Sequence, residues 1–177
     1  MALNLNIKHA LFILLAAALA AIFLLKPHRV ATVDKKGIPQ IVFFNFESFE
    51  ITKNGVESVG RGMMAERFSN VMKVKDPYFK RLAPHGVESI AAKEALYREN
   101  RNILFTKSVV LLRDDGWKIL TERINYDIKK GNYSTQGYPF TAYYGKSVVR
   151  GKNMVYYQKS GKIRADSIKA DIETEDI

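Results

Sequence analysis

The feature that most constrains the fold is a strict alternation of apolar and polar residues, which occurs in two similar units in the last third of the chain. In the first unit, residues 123–129 alternate and a turn ending at Gly131 follows. In the second unit, residues 154–157 and 162–166 alternate on either side of a turn ending at Gly161. Successive side chains of a strand point to opposite faces, so this period requires a sheet with one buried face. Each unit therefore predicts a β-hairpin.

The chain from Ile41 onward reads as short strands separated by turn residues. Residues 89–97 fit either a helix or a strand, and their position between sheet segments favours a strand. The clearest turn signals are Asn54-Gly55, Asp76-Pro77, Ala83-Pro84-His85-Gly86 and Asp114-Asp115-Gly116.

Within two long segments, the apolar positions switch between odd-numbered and even-numbered residues, so the face of the strand predicted to be buried changes. Odd-numbered apolar residues such as Ile119 give way to even-numbered ones such as Ile124 near Glu122, and a second change lies near Asp166. A strand cannot change its buried face without a bulge or a bend. The changes predict strands that cross between two sheets at a corner, and hence an all-β domain, an open β-jelly roll or twisted antiparallel sandwich. The alternative is that half-exposed positions make the changes incidental.

An apolar segment near the amino terminus predicts one transmembrane helix over residues 10–25, after a short segment of residues 1–9. The uncharged run from His9 to Leu25 would make about 26 Å of helix at about 1.5 Å per residue, enough for the short end of membrane spans. A cleaved signal peptide is the alternative, because residues 16–21 are mostly small. The apolar run continues past them, which favours a retained anchor.

Residues 26–40 predict a tether between the anchor and a β-domain of residues 41–177, because they contain Pro27 and Pro39 and lack a periodic apolar pattern. More cations follow the helix than precede it, so the positive-inside rule argues against export of the carboxyl-terminal domain. The cations are Lys8 before the helix, and Lys26, Arg29, Lys35 and Lys36 after it.

The composition limits the classes of partner and of chemistry. After residue 26 the chain has 26 basic and 18 acidic residues, a net charge of +8. Such a surface attracts nucleic acid, anionic lipid headgroups or phosphorylated glycans, unless the charge serves solubility alone. The absence of cysteine excludes disulfides, thiol catalysis and cysteine metal sites.

The patterns of the usual catalytic sites are missing from the sequence. The three histidines are His9, in the predicted anchor, His28, in the tether, and His85, in a Pro-Gly loop. Asp114-Asp115 precedes a glycine, a pattern typical of a turn rather than of an acid pair. We therefore predict no catalytic residue, no metal site and no cofactor, and we class the protein as not an enzyme.

Taken together, these features resemble the LptC family, the bitopic component of lipopolysaccharide export, with an OstA-like β-jelly roll. The resemblance rests on the anchor, the tether and the segments 120–127, 131–135 and 144–156. It implies a single-pass inner-membrane protein with its carboxyl-terminal domain in the periplasm. For the orientation, this implication takes precedence over the positive-inside rule. It also implies that the domain docks on the LptB/LptF/LptG ABC transporter, accepts lipopolysaccharide in an apolar groove and passes it to an LptA-like periplasmic bridge protein. No nucleic-acid partner is expected.

Site residues follow from the alternation together with this resemblance. Residues on one apolar face would contact acyl chains, or else form an ordinary core; they are Ile124, Tyr126, Val148, Met154 and Tyr156. Lipid phosphates at the groove mouth would meet Lys146, Arg150 and Lys152.

The last alternating segment, residues 167–173, is expected to form an open sheet edge, because only four residues follow it. Its apolar positions are Ile168, Ala170 and Ile172, and the family resemblance assigns bending and edge pairing to Gly145 and Gly151. An open edge either pairs with a partner or is protected by charges, here Lys169, Asp171 and Glu173.

Three functions remain open at this point. The first is a lipid-binding transport component, the second is an anchored scaffold that makes only protein contacts, and the third is an envelope-glycan hydrolase. The missing catalytic pattern disfavours the hydrolase. An open apolar groove in the β-domain distinguishes the first function from the second.

Overall fold

The computed structural model describes residues 37–53 and 55–173, and all regular structure in this part of the chain is β-strand. The strands are β1 (Ile41–Thr52), β2 (Gly55–Phe68), β3 (Val71–Lys75), β4 (Tyr78–Ala83), β5 (Gly86–Ala91), β6 (Glu94–Arg98), β7 (Asn102–Arg113), β8 (Lys118–Asp127), β9 (Asn132–Ser134), β10 (Pro139–Tyr144), β11 (Ser147–Tyr157) and β12 (Lys162–Asp171). Within these ranges no helix is long and apolar enough to cross a membrane. The predicted anchor, and the tether up to residue 36, lie outside the described residues.

The strands pair antiparallel in the order β10-β11-β9-β8-β7-β5-β4-β2-β3-β6, with β1 on β2 and β12 on β11. The long strands change partners halfway along. β2 pairs with β4 and then with β3, and β7 pairs with β6 and then with β5. One layer therefore contains β4, β5 and β10, the other contains β3, β6 and β9, and the long strands pass through both. The predicted all-β fold of sandwich or jelly-roll type is confirmed.

Several long strands contain residues of positive φ near the change of layer. In β7 the bend falls at Lys107 and Ser108, whose φ angles are 67° and 54°. The Ser108 amide donates to the Glu122 carboxylate of β8 at 3.1 Å, so the bend is bonded to the neighbouring strand. β12 bends at Ser167, where φ is 54°. The two changes of buried face predicted near Glu122 and Asp166 lie at these corners.

The core lies between the two layers. Ile90 and Leu111 contribute from the first layer and Phe105 and Ile124 from the second, and each is at most 2% exposed. Burying a side chain of this kind contributes about 1.5–3 kcal/mol.

The predicted turns join consecutive strands, and the ambiguous residues 89–97 divide between β5 and β6. Asn54 lies outside the described residues, but Thr52 pairs with Gly55 on either side of it. The two similar sequence units form the hairpins β8–β9 and β11–β12. β9 pairs with both β8 and β11, so the two units lie side by side in the sheet.

Candidate functional site

A row of polar and charged side chains crosses the first layer on β1, β2, β4, β5 and β7. In the strand register Glu50 lies opposite Ser58, and Ser58 lies opposite Arg81. Arg81 in turn lies opposite Glu88, and Glu88 lies opposite Arg113. Residues directly opposite one another share a face of the sheet, so these five side chains form one line, which we call the charged row.

A row of tyrosines occupies the second layer. Tyr126 and Tyr156 both pair with Tyr133, which lies between them on β9. The ring centroids are 4.6 Å apart between Tyr126 and Tyr133, and 5.8 Å apart between Tyr133 and Tyr156. All three residues are at most 3% exposed. We call them the tyrosine row.

The two rows bond to each other across the space between the layers. The buried Glu88 carboxylate accepts hydrogen bonds from the Tyr156 hydroxyl at 2.6 Å and from the Tyr133 hydroxyl at 3.1 Å. It also accepts one from the side-chain amide of Gln158, at 2.7 Å. Arg81 donates to the Tyr126 hydroxyl. These six residues, Arg81, Glu88, Tyr126, Tyr133, Tyr156 and Gln158, form what we call the interlayer seam.

Burial keeps the tyrosines of the seam protonated. Burial raises the pKa of Tyr133 well above its ordinary value, and burial together with the hydrogen bond to Glu88 raises the pKa of Tyr156. The pKa of Tyr126 is also raised by burial, although the Arg81 guanidinium opposes the shift. A raised folded-state pKa contributes stability that is complete below the unfolded value of about 10 and is lost as the pH rises beyond it. All three hydroxyls can therefore donate at physiological pH.

An apolar cavity of about 270 Å³ lies between the two layers, at the end of the charged row formed by Glu50 of β1. Glu50, Ser58 and Arg61 supply polar groups to its wall. Apolar side chains from both layers supply the remainder of its surface, among them Phe46, Phe49, Val74, Phe79, Ile103 and Phe105. This is the kind of space, mostly apolar with a few polar groups, in which proteins bind apolar ligands.

The residues predicted to contact acyl chains lie elsewhere. Ile124, Tyr126, Met154 and Tyr156 are at most 3% exposed and belong to the core or the seam, and Val148 is half-buried on β11. None of the five lines the cavity described above. Their contact with lipid stays a prediction, because this cavity is formed by β1, β2, β3, β4, β6 and β7 and not by the strands that carry them.

The predicted headgroup contacts are all exposed. Lys146 pairs with Glu173 at 3.1 Å, and Arg150 pairs with Asp171 at 2.8 Å. Lys152 is exposed on β11. Lys146 lies in the β10–β11 turn, and the other two cations lie on β11, which pairs with β12. Their contact with phosphate stays a prediction.

One edge of the described sheet is β12, which pairs with β11 among the described strands. Ile168 is 60% exposed, Ile172, just beyond the strand, is 72% exposed, and Ala170 is also exposed. Gly145 lies in the β10–β11 turn with φ of 57°. At Gly151 a Cβ would lie 2.9 Å from the Phe140 ring, so only glycine allows this close approach. Edge pairing by these residues stays a prediction.

The other edge is β1, whose exposure is not among the features predicted from the sequence. It pairs with β2 among the described strands. Several large apolar side chains are between 39% and 73% exposed: Ile41, Val42, Phe43, Phe44, Phe49 and Ile51. Residues 41–44 are apolar on both faces of the strand, and this missing alternation was the signal available in the sequence. An exposed apolar edge of this length is typical of an interaction site.

The acidic residues considered for catalysis serve turns. The Asp114 carboxylate accepts a hydrogen bond from the Val87 amide at 2.8 Å, and Asp115 pairs with Arg113. His85 lies 3.3 Å from the Lys159 carbonyl. Among residues 37–53 and 55–173, no group of three or more histidine or acidic residues is placed to hold a metal ion.

Comparison with known proteins adds one finding. A protein-family model described as lipopolysaccharide-assembly, LptC-related matches residues 10–167. The match covers most of the chain, from the predicted anchor into β12. No curated protein matches the sequence.

Proposed function

The chain belongs to the LptC-related family and is therefore a component of lipopolysaccharide transport in the cell envelope, and we propose that it accepts lipopolysaccharide from an inner-membrane ABC transporter and passes it to a periplasmic β-bridge protein. The transporter would be of the LptB/LptF/LptG kind and the bridge protein LptA-like. The observation that carries the proposal is the apolar cavity between the two layers.

The cavity suits part of an acyl chain. Its volume of about 270 Å³ lies just below the usual range of ligand pockets, so it holds a segment of one chain rather than a whole lipid. Each methylene buried there contributes about 0.8 kcal/mol. The net charge of +8 beyond residue 26 would attract the phosphates of lipopolysaccharide, and Lys146, Arg150 and Lys152 are proposed contacts at the β12 end of the domain.

The two exposed edges suit two different partners. β12 ends the sheet next to β11, and we assign it to the LptA-like protein, which would extend the sheet by strand addition. β1 directly follows the proposed tether in the sequence. Its exposed apolar side chains suit docking on the transporter.

This arrangement requires residues 10–25 to be an uncleaved anchor in the inner membrane, with residues 41–177 in the periplasm. A reporter enzyme that is active only in the periplasm, fused after Ile177, is expected to be active. The purified chain is also expected to retain its first residues, and its mass, measured by mass spectrometry, tests this. An intact fusion with a silent reporter would show the opposite orientation of the chain. A mature chain that starts near Ala21 would show that residues 10–25 belong to a cleaved signal peptide and not to an anchor.

The binding proposal is tested by filling the cavity. Ile103 lines it and is half-buried, so Ile103→Trp places a larger side chain where the acyl chain would lie. Excluding roughly two methylenes weakens binding by about 1.6 kcal/mol, or about fifteen-fold in Kd for lipopolysaccharide. Titration of the purified chain with labelled lipopolysaccharide measures this effect.

The matched control is Leu112→Trp, because Leu112 is exposed on β7 and does not line the cavity. It should leave the Kd unchanged. The alternative function, a membrane-anchored scaffold that makes only protein contacts, is favoured by the burial of the four core residues first assigned to the groove. A scaffold predicts no measurable binding of lipopolysaccharide to any of the three chains.

A further inference from the structure

The charged row has two parts with different surroundings. At the β1 end of the row, Glu50 and Ser58 line the cavity, and the Ser58 hydroxyl donates to the Glu50 carboxylate at 2.8 Å. Further along the row, Arg81 and Glu88 bond to the tyrosine row of the opposite layer. The interlayer seam therefore begins next to the cavity and continues toward β11 and β12.

We propose that the interlayer seam is a gate, which confines acyl chains to the cavity and has to open before they move along the interior toward β12. This inference rests on the proposed function, and it adds a step to it. Lipid first fills the cavity, and hand-over at the β12 edge follows only after the two rows separate.

The chemistry of the seam explains why it blocks an apolar chain. Glu88 is 2% exposed and accepts three hydrogen bonds from described residues, so a methylene chain passing it would leave a buried carboxylate and its donors unpaired. Such a loss is far larger than that of an ordinary apolar contact. The tyrosine rings stack beside one another, with centroids 4.6 Å and 5.8 Å apart, and fill the space that a chain would need.

Within the described part of the chain, the seam contains one unsatisfied donor at the end that faces the cavity. Arg81 lies opposite Ser58, which lines the cavity, and the Nε atom of Arg81 is buried without a hydrogen-bond partner among the described residues. At the far end the seam is reinforced by the contact between His85, in the β4–β5 turn, and the Lys159 carbonyl, in the β11–β12 turn. Opening would therefore start at Arg81 and proceed toward Tyr156.

The test places a photo-crosslinking side chain on each side of the seam in the full-length protein, with purified lipopolysaccharide as the probe. Phe79 lines the cavity, and Ile163 pairs with Tyr156 beyond the seam; both are half-buried, so the replacement is tolerated better than in the core. Tyr156→Phe removes one hydroxyl of the seam and keeps the ring. Glu88→Gln is the second seam variant, and it replaces the carboxylate that accepts the hydrogen bonds of the seam with a weaker acceptor. Glu94→Gln is the control, because Glu94 is exposed and pairs with Lys107 away from the seam.

In the native chain, capture is expected at position 79 and little at position 163. Tyr156→Phe and Glu88→Gln should raise capture at position 163 several-fold without reducing it at position 79, and Glu94→Gln should change neither. Unchanged capture at position 163 in both seam variants, with normal capture at 79, would overturn the gate and leave the proposed function standing. No capture at position 79 in the native chain would overturn the proposed function, and the gate with it.

Discussion

Replacing Ala170 with proline is expected to abolish binding of the LptA-like bridge protein while association with the transporter continues. Ala170 lies on the exposed edge strand β12, opposite Val149 of β11. Proline has no amide hydrogen to donate and its ring interrupts strand pairing. Strand addition depends on main-chain hydrogen bonds, so the partner would lose its template. Binding of the purified partner to the variant, and co-purification of the variant with the transporter, measure the two associations.

Ala170→Ser is the matched control, since it changes an exposed side chain and keeps the main-chain donor. It should bind the partner as the native chain does. Full-affinity binding by the proline variant would place the bridge contact on another strand. Loss of both associations would indicate that the substitution damages the domain and not only its edge.

Replacing Glu88 with alanine is expected to lower the free energy of unfolding by about 3 kcal/mol or more. The substitution leaves the hydroxyls of Tyr133 and Tyr156 and the amide of Gln158 without their acceptor in a buried site. A buried donor without a partner costs about 1–3 kcal/mol. Urea-induced unfolding of the native and variant chains measures the difference.

Glu94→Ala provides the comparison, because Glu94 is half exposed and its ion pair with Lys107 is worth at most about 1 kcal/mol. A loss for Glu88→Ala no larger than for Glu94→Ala would mean that the seam does not hold the layers together. In the combined variant of Glu88→Ala with Tyr156→Phe, the two losses should not add, because the residues share one hydrogen bond.

The strands and turns could be predicted from the sequence because their causes are local. Alternation around Ile124 and Tyr156 depends only on the direction of successive side chains, and the turn at Asp114 depends on a short polar segment before glycine. The corners near Glu122 and Ser167 could also be inferred, because a change of buried phase requires a bend.

Alternation does not show whether an apolar face is covered. Tyr156 and Ile168 both belong to alternating strands, yet Tyr156 is fully buried and Ile168 is 60% exposed. The difference depends on which strand lies in the opposite layer, a long-range property that no segment contains. For this reason the sequence did not show that Ile124, Tyr126, Met154 and Tyr156 are core positions, or that the apolar cavity lies among other strands.

The interlayer seam has a signal in the sequence. Glu88 occupies the same phase as the buried Ile90, and Arg81 occupies the phase of Phe79 and Ala83. A charged residue in a buried phase needs a buried partner. The partners, Tyr126, Tyr133 and Tyr156, lie 45 to 68 residues away in the chain, so their identity required the fold.

The most direct measurement for an acyl-chain site between the layers is photo-crosslinking in intact cells, with the reactive side chain at Phe79 or at Lys129. Phe79 lines the cavity, and Lys129 is exposed in the β8–β9 turn. We expect lipopolysaccharide to be captured at position 79 and not at position 129. Equal capture at the two positions, or capture at position 129 alone, would contradict a lipid site between the layers.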